Sequence, residues 1–475
     1  MASDSPRLFG TDGVRGTAGR YPLDPPTVRR LGAAIVRALS HRRDSGFVVR
    51  DSNPESRKPN PDPHILIGRD TRESGSWIEA ELAHGASGEG AEVTSAGVVP
   101  TPAVAYLTRA GSYDAGVVIS ASHNPYEDNG IKVFSGRGEK FTEGVEREVE
   151  AIVADPSWAA RSGEPAPVRR ADLVGGYLDH LRAVFPEAPS LGRRAGLAGP
   201  AAFRLGVDCA NGATTTVAPA LFDSLGFETI VIGNAPDGRN INLQCGSTHP
   251  ELLARTVVEK GCQMGVAFDG DGDRAIFVDH AGRVVDGDAV LLMCGAQLQR
   301  EQRLKGQAIV ATVMSNIGLE LALQALGIAL VRTAVGDKYV MEEMLKRDLS
   351  LGGEQSGHII FSDYLFTGDG LCTALNVLRT LPLTARSLAD LASDLATYPQ
   401  VLLNVRVRER VPLHTVPAVA TAIARVEKCL AGQGRLLVRY SGTEPLLRVM
   451  LEGKHQDEIR RWAQEIVDVV QEHLG

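Results

Sequence analysis

Three times along its 475 residues this sequence runs an apolar, strand-like stretch into a polar, glycine-rich loop. Residues 115–119 lead into Ser120-Ala121-Ser122-His123-Asn124-Pro125, and residues 263–268 into Asp269-Gly270-Asp271-Gly272-Asp273-Arg274. A third round closes on Gly352-Gly353-Glu354-Gln355-Ser356-Gly357-His358. Between these loops, unbroken apolar runs alternate with helical periodicities. In the first round a helix is expected over 24–39, where Val28, Leu31, Ile35 and Leu39 share a face behind Asp24 and Pro25. Strands at 65–67 and 93–99 and helices at 77–84 and 103–108 come next. The second round reads as strands at 203–209, 228–232 and 263–268 around helices at 216–225 and 250–260. In the third, helices at 289–299, 318–326 and 339–346 alternate with strands at 308–314 and 328–333. Unbroken apolar strands between helices predict parallel sheets buried on both faces, with ligands at the loops beyond the strand ends.

The remainder is of another kind. Strands at 401–407, 435–439 and 446–451 surround a helix at 416–430, and Ile459, Trp462, Ile466 and Val470 mark an amphipathic C-terminal helix. This is an α+β domain. Residues 41–64 read as a solvated loop insertion and 155–170 as a linker.

Composition removes several classes of function. At 43% hydrophobic and 23% charged residues, the chain is globular. Its net charge of -8 argues against nucleic acid as the main partner, since that binding needs a basic face. No apolar run approaches the ~20 residues of a membrane span, and Met1-Ala2-Ser3-Asp4-Ser5-Pro6 does not read as a secretory signal. Cys209, Cys245, Cys262, Cys294, Cys372 and Cys429 contain no Cys-x-x-Cys pair. They read as scattered core residues of a cytoplasmic protein.

The chemistry concentrates in the loops. Asp269, Asp271 and Asp273 alternate with glycines, so three carboxylates can converge on one hard cation. A calcium EF-hand loop fails here: Arg274 stands where its glycine belongs, and His280 where its glutamate belongs. Three carboxylates leave coordination positions open, which suits Mg²⁺ shared with a phosphate. Ser122 ends an apolar strand without the Gly-x-Ser-x-Gly of a hydrolase elbow, and Lys132 lies ten residues on. Arg439-Tyr440-Ser441-Gly442-Thr443-Glu444-Pro445, with Arg448, brings guanidinium groups, hydroxyls and a glycine together as a phosphate cradle. The sole Gly-Lys pair, Gly453-Lys454, precedes His455, so no nucleotide-binding Walker loop is present.

Together with Phe9-Gly10-Thr11-Asp12-Gly13-Val14-Arg15-Gly16 and Asn129-Gly130-Ile131-Lys132, these loops occur in the order of the α-D-phosphohexomutases, which the whole chain resembles. The Gly-Thr-Asp-Gly opening and Gln355 favour the glucosamine branch over the glucose and mannose branch. Tyr440, where that branch more often has Pro, and the 41–64 insertion are departures.

The resemblance implies three similar α/β domains with mixed sheets plus a C-terminal α+β domain, around a central cleft. They would be a phosphoserine domain (1–167), a metal-binding domain (168–284), a sugar-binding domain (285–390) and a phosphate-binding domain (391–475). It further implies a phosphoserine at Ser122, with Mg²⁺ held by Asp269, Asp271, Asp273 and an oxygen of that phosphate. Arg15, Lys132, His123 and His358 would serve catalysis. Arg274, Lys338, Glu354, Ser356, Arg439, Ser441, Gly442, Thr443 and Arg448 would hold the substrate. The expected reaction is glucosamine 6-phosphate to glucosamine 1-phosphate through a 1,6-bisphosphate, feeding UDP-N-acetylglucosamine and cell-wall synthesis. The alternative is a phosphoglucomutase or phosphomannomutase, and the expected state a cytoplasmic monomer or homodimer.

Overall fold

The computed structural model describes residues 7–10, 12–44, 62–161, 168–186, 203–430, 432, 434–441 and 445–475. The chain forms two compact units, one of residues Met1–Met314 with Leu330–Ala392, the other of Ser315–Ala329 with Ser393–Gly475.

The first unit holds three sheets. The first has seven strands in the order Phe9–Gly10, Gly13–Thr17, Asp128–Ser135, Ala115–Ile119, His64–Arg69, Glu92–Val98 and Arg169–Arg170. The expected parallel core is present, with His64–Arg69 between Ala115–Ile119 and Glu92–Val98. Each polar loop, however, leads into a further strand that sequence reading missed. Asp128–Ser135 returns antiparallel to Ala115–Ile119 and sets Lys132 opposite Val118. The second sheet repeats this arrangement, Ala275–Asp279 returning antiparallel to Met264–Phe268, and the third does so with Ile359–Phe361 against Leu351–Gly353. The sheets are therefore mixed, and each polar loop is pinned by a ladder on both sides.

Predicted helices extend by a few residues in place: 24–39 becomes Pro25–Asp44, 77–84 becomes Gly75–Gly88 and 339–346 becomes Asp337–Arg347. The 41–64 insertion shrinks accordingly. Residues 41–44 finish a helix, His64 opens a strand, and 45–61 lie outside the described residues. The first part of the expected linker is docked. Trp158 lies between the Arg30 and Arg37 guanidinium groups, 4.3 and 3.9 Å from its ring centre, and its Nε1 donates to the Ile152 carbonyl. Arg169 and Arg170, beyond the expected boundary at 167, pair with Thr94 and Ser95 in the first sheet. The helix Gly370–Thr384 was not predicted; it is buried continuously from Gly370 to Leu378, and Pro382 near its end reads as a helix breaker.

In the second unit, Gln400–Arg406, Leu446–Gly453 and Gly434–Tyr440 form an antiparallel sheet with Leu446–Gly453 in the centre. One face buries Val401, Val405, Leu447, Val449 and Leu451 with Ile459, Ile466 and Val470 of the C-terminal helix. Strand alternation places Asn404, Arg406, Arg439 and Arg448 on the other face. Tyr440 packs on the core side and donates to the Val411 carbonyl at 2.7 Å, so its ring points away from that arginine face. Among the described residues no helix is long and apolar enough to cross a membrane.

Candidate active site

Ser122 stands where the Ala115–Ile119 strand ends, buried and in the left-handed region at φ +53°. Its Oγ donates to Asp269 Oδ2 at 2.5 Å and lies 3.3 Å from His123 Nδ1. Its N–H donates to Ser120 Oγ (2.9 Å), and its carbonyl accepts from Arg72 and Asn242. The loops of the three sheets meet at this point. The Thr101 N–H donates to the Asp271 carbonyl, and Arg274 pairs with His358 in a short antiparallel bridge.

Asp269, Asp271 and Asp273 are buried, and each offers a carboxylate oxygen within 4.8 Å of the others. Gly272 makes this possible by turning the chain at φ +70°. Lys132 Nζ contacts Asp271 Oδ2 at 2.9 Å, Asp273 Oδ2 at 3.2 Å and Asp12 Oδ2 at 3.1 Å. Burial would neutralise this lysine, but Asp12, Asp271 and Asp273 overcome it and hold its pKa well above normal. Burial raises Asp273 too, yet Lys132 and His358 outweigh it and keep that carboxyl well below the usual range. Asp269 goes the other way, driven up by burial and by Asp273 and Asp271, because Lys132 reaches its two neighbours and not Asp269. Among the described residues, neither Asp271 Oδ1 nor Asp273 Oδ1, both buried, has a hydrogen-bond donor. Oxygens of that kind cost free energy unless something positive meets them, and three clustered carboxylates are the donor set of a hard divalent cation.

Around this cluster runs a network of charges. Asp12 takes Lys140 at 2.5 Å and pairs with Arg15, and Lys140 continues to Asp337. Arg15 Nη1 also donates to the Ala121 carbonyl (3.3 Å) and Asn124 Oδ1 (3.4 Å). His358 Nε2 accepts from the Gly368 N–H at 3.1 Å, leaving Nδ1 to face Asp273 Oδ1 at 3.6 Å. Burial, Arg274 and Arg15 push the His123 imidazole down to about 4, so it is neutral at pH 7. Lys338 Nζ donates to Glu146 Oε2 at 2.6 Å, and Glu354 Oε1 accepts from the Gly336 N–H at 3.2 Å. A cavity of about 650 Å³ opens between these groups, lined among others by Arg15, His123, Arg274, Lys338, Glu354 and His358.

The residues singled out in the sequence thus fall into two places. Ser122, His123, Lys132, the three aspartates, Arg15, Arg274, Lys338, Glu354 and His358 gather in the first unit. Ser356 belongs to the same loop but is exposed and does not line the cavity. Arg439 and Arg448 are direct cross-strand neighbours in the second unit, with Ser441 after the strand, whereas Gly442 and Thr443 lie outside the described residues. Sequence reading passed over Arg72, Thr101, Lys140, Asn242 and Asp337. Arg72 had a signal, because Gly68-Arg69-Asp70-Thr71-Arg72 runs polar from the end of a parallel strand, as the other loops do. Lys140 and Asn242 are single polar residues in polar stretches, and nothing nearby marks them.

Models of the phosphoglucomutase/phosphomannomutase family match the chain in four consecutive parts. These are alpha/beta/alpha domain I over residues 6–160, domain II over 176–282, domain III over 286–398 and the C-terminal domain over 402–469. The chain is 48% identical over 483 aligned residues to a phosphoglucosamine mutase of Solibacter usitatus, covering 100% of both chains. It is 45% identical to one of Syntrophotalea carbinolica, over 99% of this chain and 98% of that one. A solved phosphoglucomutase/phosphomannomutase family protein of Burkholderia thailandensis shares the fold at a TM-score of 0.76 and 24% identity, over 99% of this chain and 98% of that chain. Matched in all four parts and along its whole length, the chain belongs to the phosphoglucomutase/phosphomannomutase family and is, like its relatives, a phosphosugar mutase.

Proposed function

We propose that this enzyme interconverts glucosamine 6-phosphate and glucosamine 1-phosphate by passing a phosphoryl group through Ser122. The observation that carries the reading is the Ser122 hydroxyl, 2.5 Å from Asp269 and buried against the three-aspartate cluster. The amino sugar rests on the full-length relatives, which are phosphoglucosamine mutases. The product would feed UDP-N-acetylglucosamine and cell-wall synthesis.

Asp269, Asp271 and Asp273 would hold Mg²⁺, which supplies neutralisation of the charge on a transferring phosphoryl group. The remaining work falls to side chains. A sugar hydroxyl attacks the phosphorus on Ser122; its O–P bond forms as the Ser122 O–P bond breaks, and the electron pair returns to Ser122 Oγ. The hydroxyl proton passes to a nearby base, for which His123 and His358 at the cavity are the candidates, whereas Arg15, kept charged against burial by Asp12, neutralises as Lys132 does. Lys132 is held charged by its three carboxylate partners, so it stabilises negative charge more readily than it accepts a proton. The bisphosphate then turns, and its other phosphoryl group returns to Ser122. Lys338 and Glu354 at the cavity would read the ring. Arg439, Ser441, Gly442, Thr443 and Arg448 would grip the phosphate that is not reacting, as charge-assisted donors do.

The deciding experiment compares glucosamine, glucose and mannose 6-phosphates with the phosphorylated enzyme, saturating Mg²⁺ and a trace of bisphosphate. A site built for the 2-amino group leaves its partner unpaired when that group is absent. The kcat/KM for the amino sugar should therefore lead by about tenfold or more, ~1.4 kcal/mol of transition-state binding. Equal or better turnover of either hexose would move the enzyme to the glucose and mannose branch and leave Ser122 in its role.

A further inference from the structure

A left-handed backbone costs an ordinary residue of order 1 kcal/mol and persists where its surroundings fix it. At Ser122 two side chains do so. Arg72 Nη2 donates to the carbonyls of Ser122 (3.2 Å) and Asn124 (2.6 Å). Asn242 Nδ2 donates to the same two carbonyls at 2.9 and 3.2 Å. Arg72 is 1% exposed and its charge is matched by the buried Asp70, whose Oδ1 also accepts the Arg72 N–H. Its Nη1 lies 3.4 Å from Ser120 Oγ, the oxygen that accepts the Ser122 N–H.

These donors come from different sheets. Arg72 follows a strand of the first, whereas Asn242 is tied through its N–H to the Ala210 carbonyl, just past a strand of the second. The aspartate loop closes the third side. A Cβ on Gly270 would lie 2.6 Å from the Ser122 carbonyl oxygen and 2.8 Å from Asn242 Nδ2, so only glycine lets the loops approach this closely. Neither Arg72 nor Asn242 lines the cavity.

We propose that Arg72 and Asn242 form a clamp on the Ser122 peptide that aims its Oγ at the aspartate cluster, making them positioning residues for phosphoryl transfer. The inference rests on Ser122 being the phosphoryl carrier. Two donors on one carbonyl fix the plane of that peptide and, with it, the direction of the Ser122 Cα–Cβ bond. Releasing one donor lets the residue relax out of the left-handed region and swings the hydroxyl aside. Displacements of ~1 Å at a reacting atom can cost ~10²-fold in rate. Substrate affinity should stay, because neither clamp residue lines the cavity.

The test uses full-length wild type, Asn242→Ala, Arg72→Lys and Ser122→Ala. Dephosphorylated enzyme is mixed with glucosamine 1,6-bisphosphate, and phosphate uptake is followed by intact mass alongside kcat, KM and the thermal midpoint. For Asn242→Ala, uptake and kcat should fall roughly 10- to 100-fold with KM within about twofold and the midpoint within a few degrees. Arg72→Lys keeps the charge but loses the fork and should fall at least as far; if it does not fold, Asn242→Ala decides alone. Uptake within twofold of wild type, or a raised KM at unchanged kcat, overturns the clamp. Failure of wild type to take up phosphate, or uptake by Ser122→Ala, overturns instead the carrier assignment on which it rests.

Discussion

The serine–aspartate cluster and the C-terminal arginine face are both built from charges, in opposite ways. In the first, Ser122, Lys132 and the three aspartates are each 3% exposed or less, and carboxylates and lysine hold one another in place. In the second, Arg439 and Arg448 stand directly opposite on neighbouring strands, partly exposed, and like charges so placed repel. A dianionic phosphate would reverse that repulsion. The buried cluster fixes positions, as bond making requires, whereas the sheet face presents charge, as holding an anion requires.

That contrast is broken first at Ser122. Ser122→Ala should keep the fold and lose about 10³-fold or more of the turnover, since the covalent carrier is gone. Intact mass should show one phosphate on wild type and none on the variant. A variant that keeps a tenth of the activity would show the cluster to be scaffolding.

Asp271→Asn comes next, at roughly 10²-fold, because the carboxamide keeps the shape but lacks the charge that holds a hard cation. Activity measured across a Mg²⁺ titration should recover in part at high metal. A titration curve matching wild type would remove Asp271 from any metal site.

On the sheet face the loss should appear in affinity. Arg439→Ala and Arg448→Ala should each raise KM by roughly 10- to 100-fold, the worth of ~1.5–3 kcal/mol for a charge-assisted contact, with kcat changed less. If KM stays put while kcat collapses, the division of labour between the two regions is wrong.

The smallest effect sharpens the comparison from outside both regions. Asp369 is buried, with no cation beside it among the described residues; burial lifts its carboxyl to about 6, offset in part by the Cys372 N–H and the Tyr177 hydroxyl. Its folded pKa lies above the unfolded value, so the folded state holds the extra proton between about pH 4 and 6. The stability this confers is complete below pH 4 and lost as pH rises through 6. Thermal midpoints of Asp369→Asn across that range should lack the decline, by about one proton, seen in wild type. A parallel pair of curves would show that Asp369 ionises normally.

Strand-to-loop transitions were legible because the Ala115–Ile119 and Met264–Phe268 runs are buried on both faces and break abruptly into polar glycine-rich sequence. The return strands were not. Asp128–Ser135 opens with Asp-Asn-Gly, which reads as a turn, and carries Lys132 among apolar neighbours. That lysine stays charged while buried because Asp12 and carboxylates 139 and 141 residues away meet it, and no local pattern records partners so distant. Arg72 was legible in principle, since it obeys the strand-end rule, but its role depends on two carbonyls some 50 residues on.

The return strands also bear on the order in which the site can assemble. Val118 and Lys132 are ladder partners 14 residues apart, so Lys132 is placed beside the serine loop by contacts local in sequence. The Ser122–Asp269 contact spans 147 residues and costs about 2 kcal/mol more in loop-closure entropy, which favours the local pair forming first. A nascent chain that has folded only its first sheet holds serine and lysine in register but has no aspartate loop. On the proposed mechanism, Ser122 is thus set in place before the aspartates that it works against.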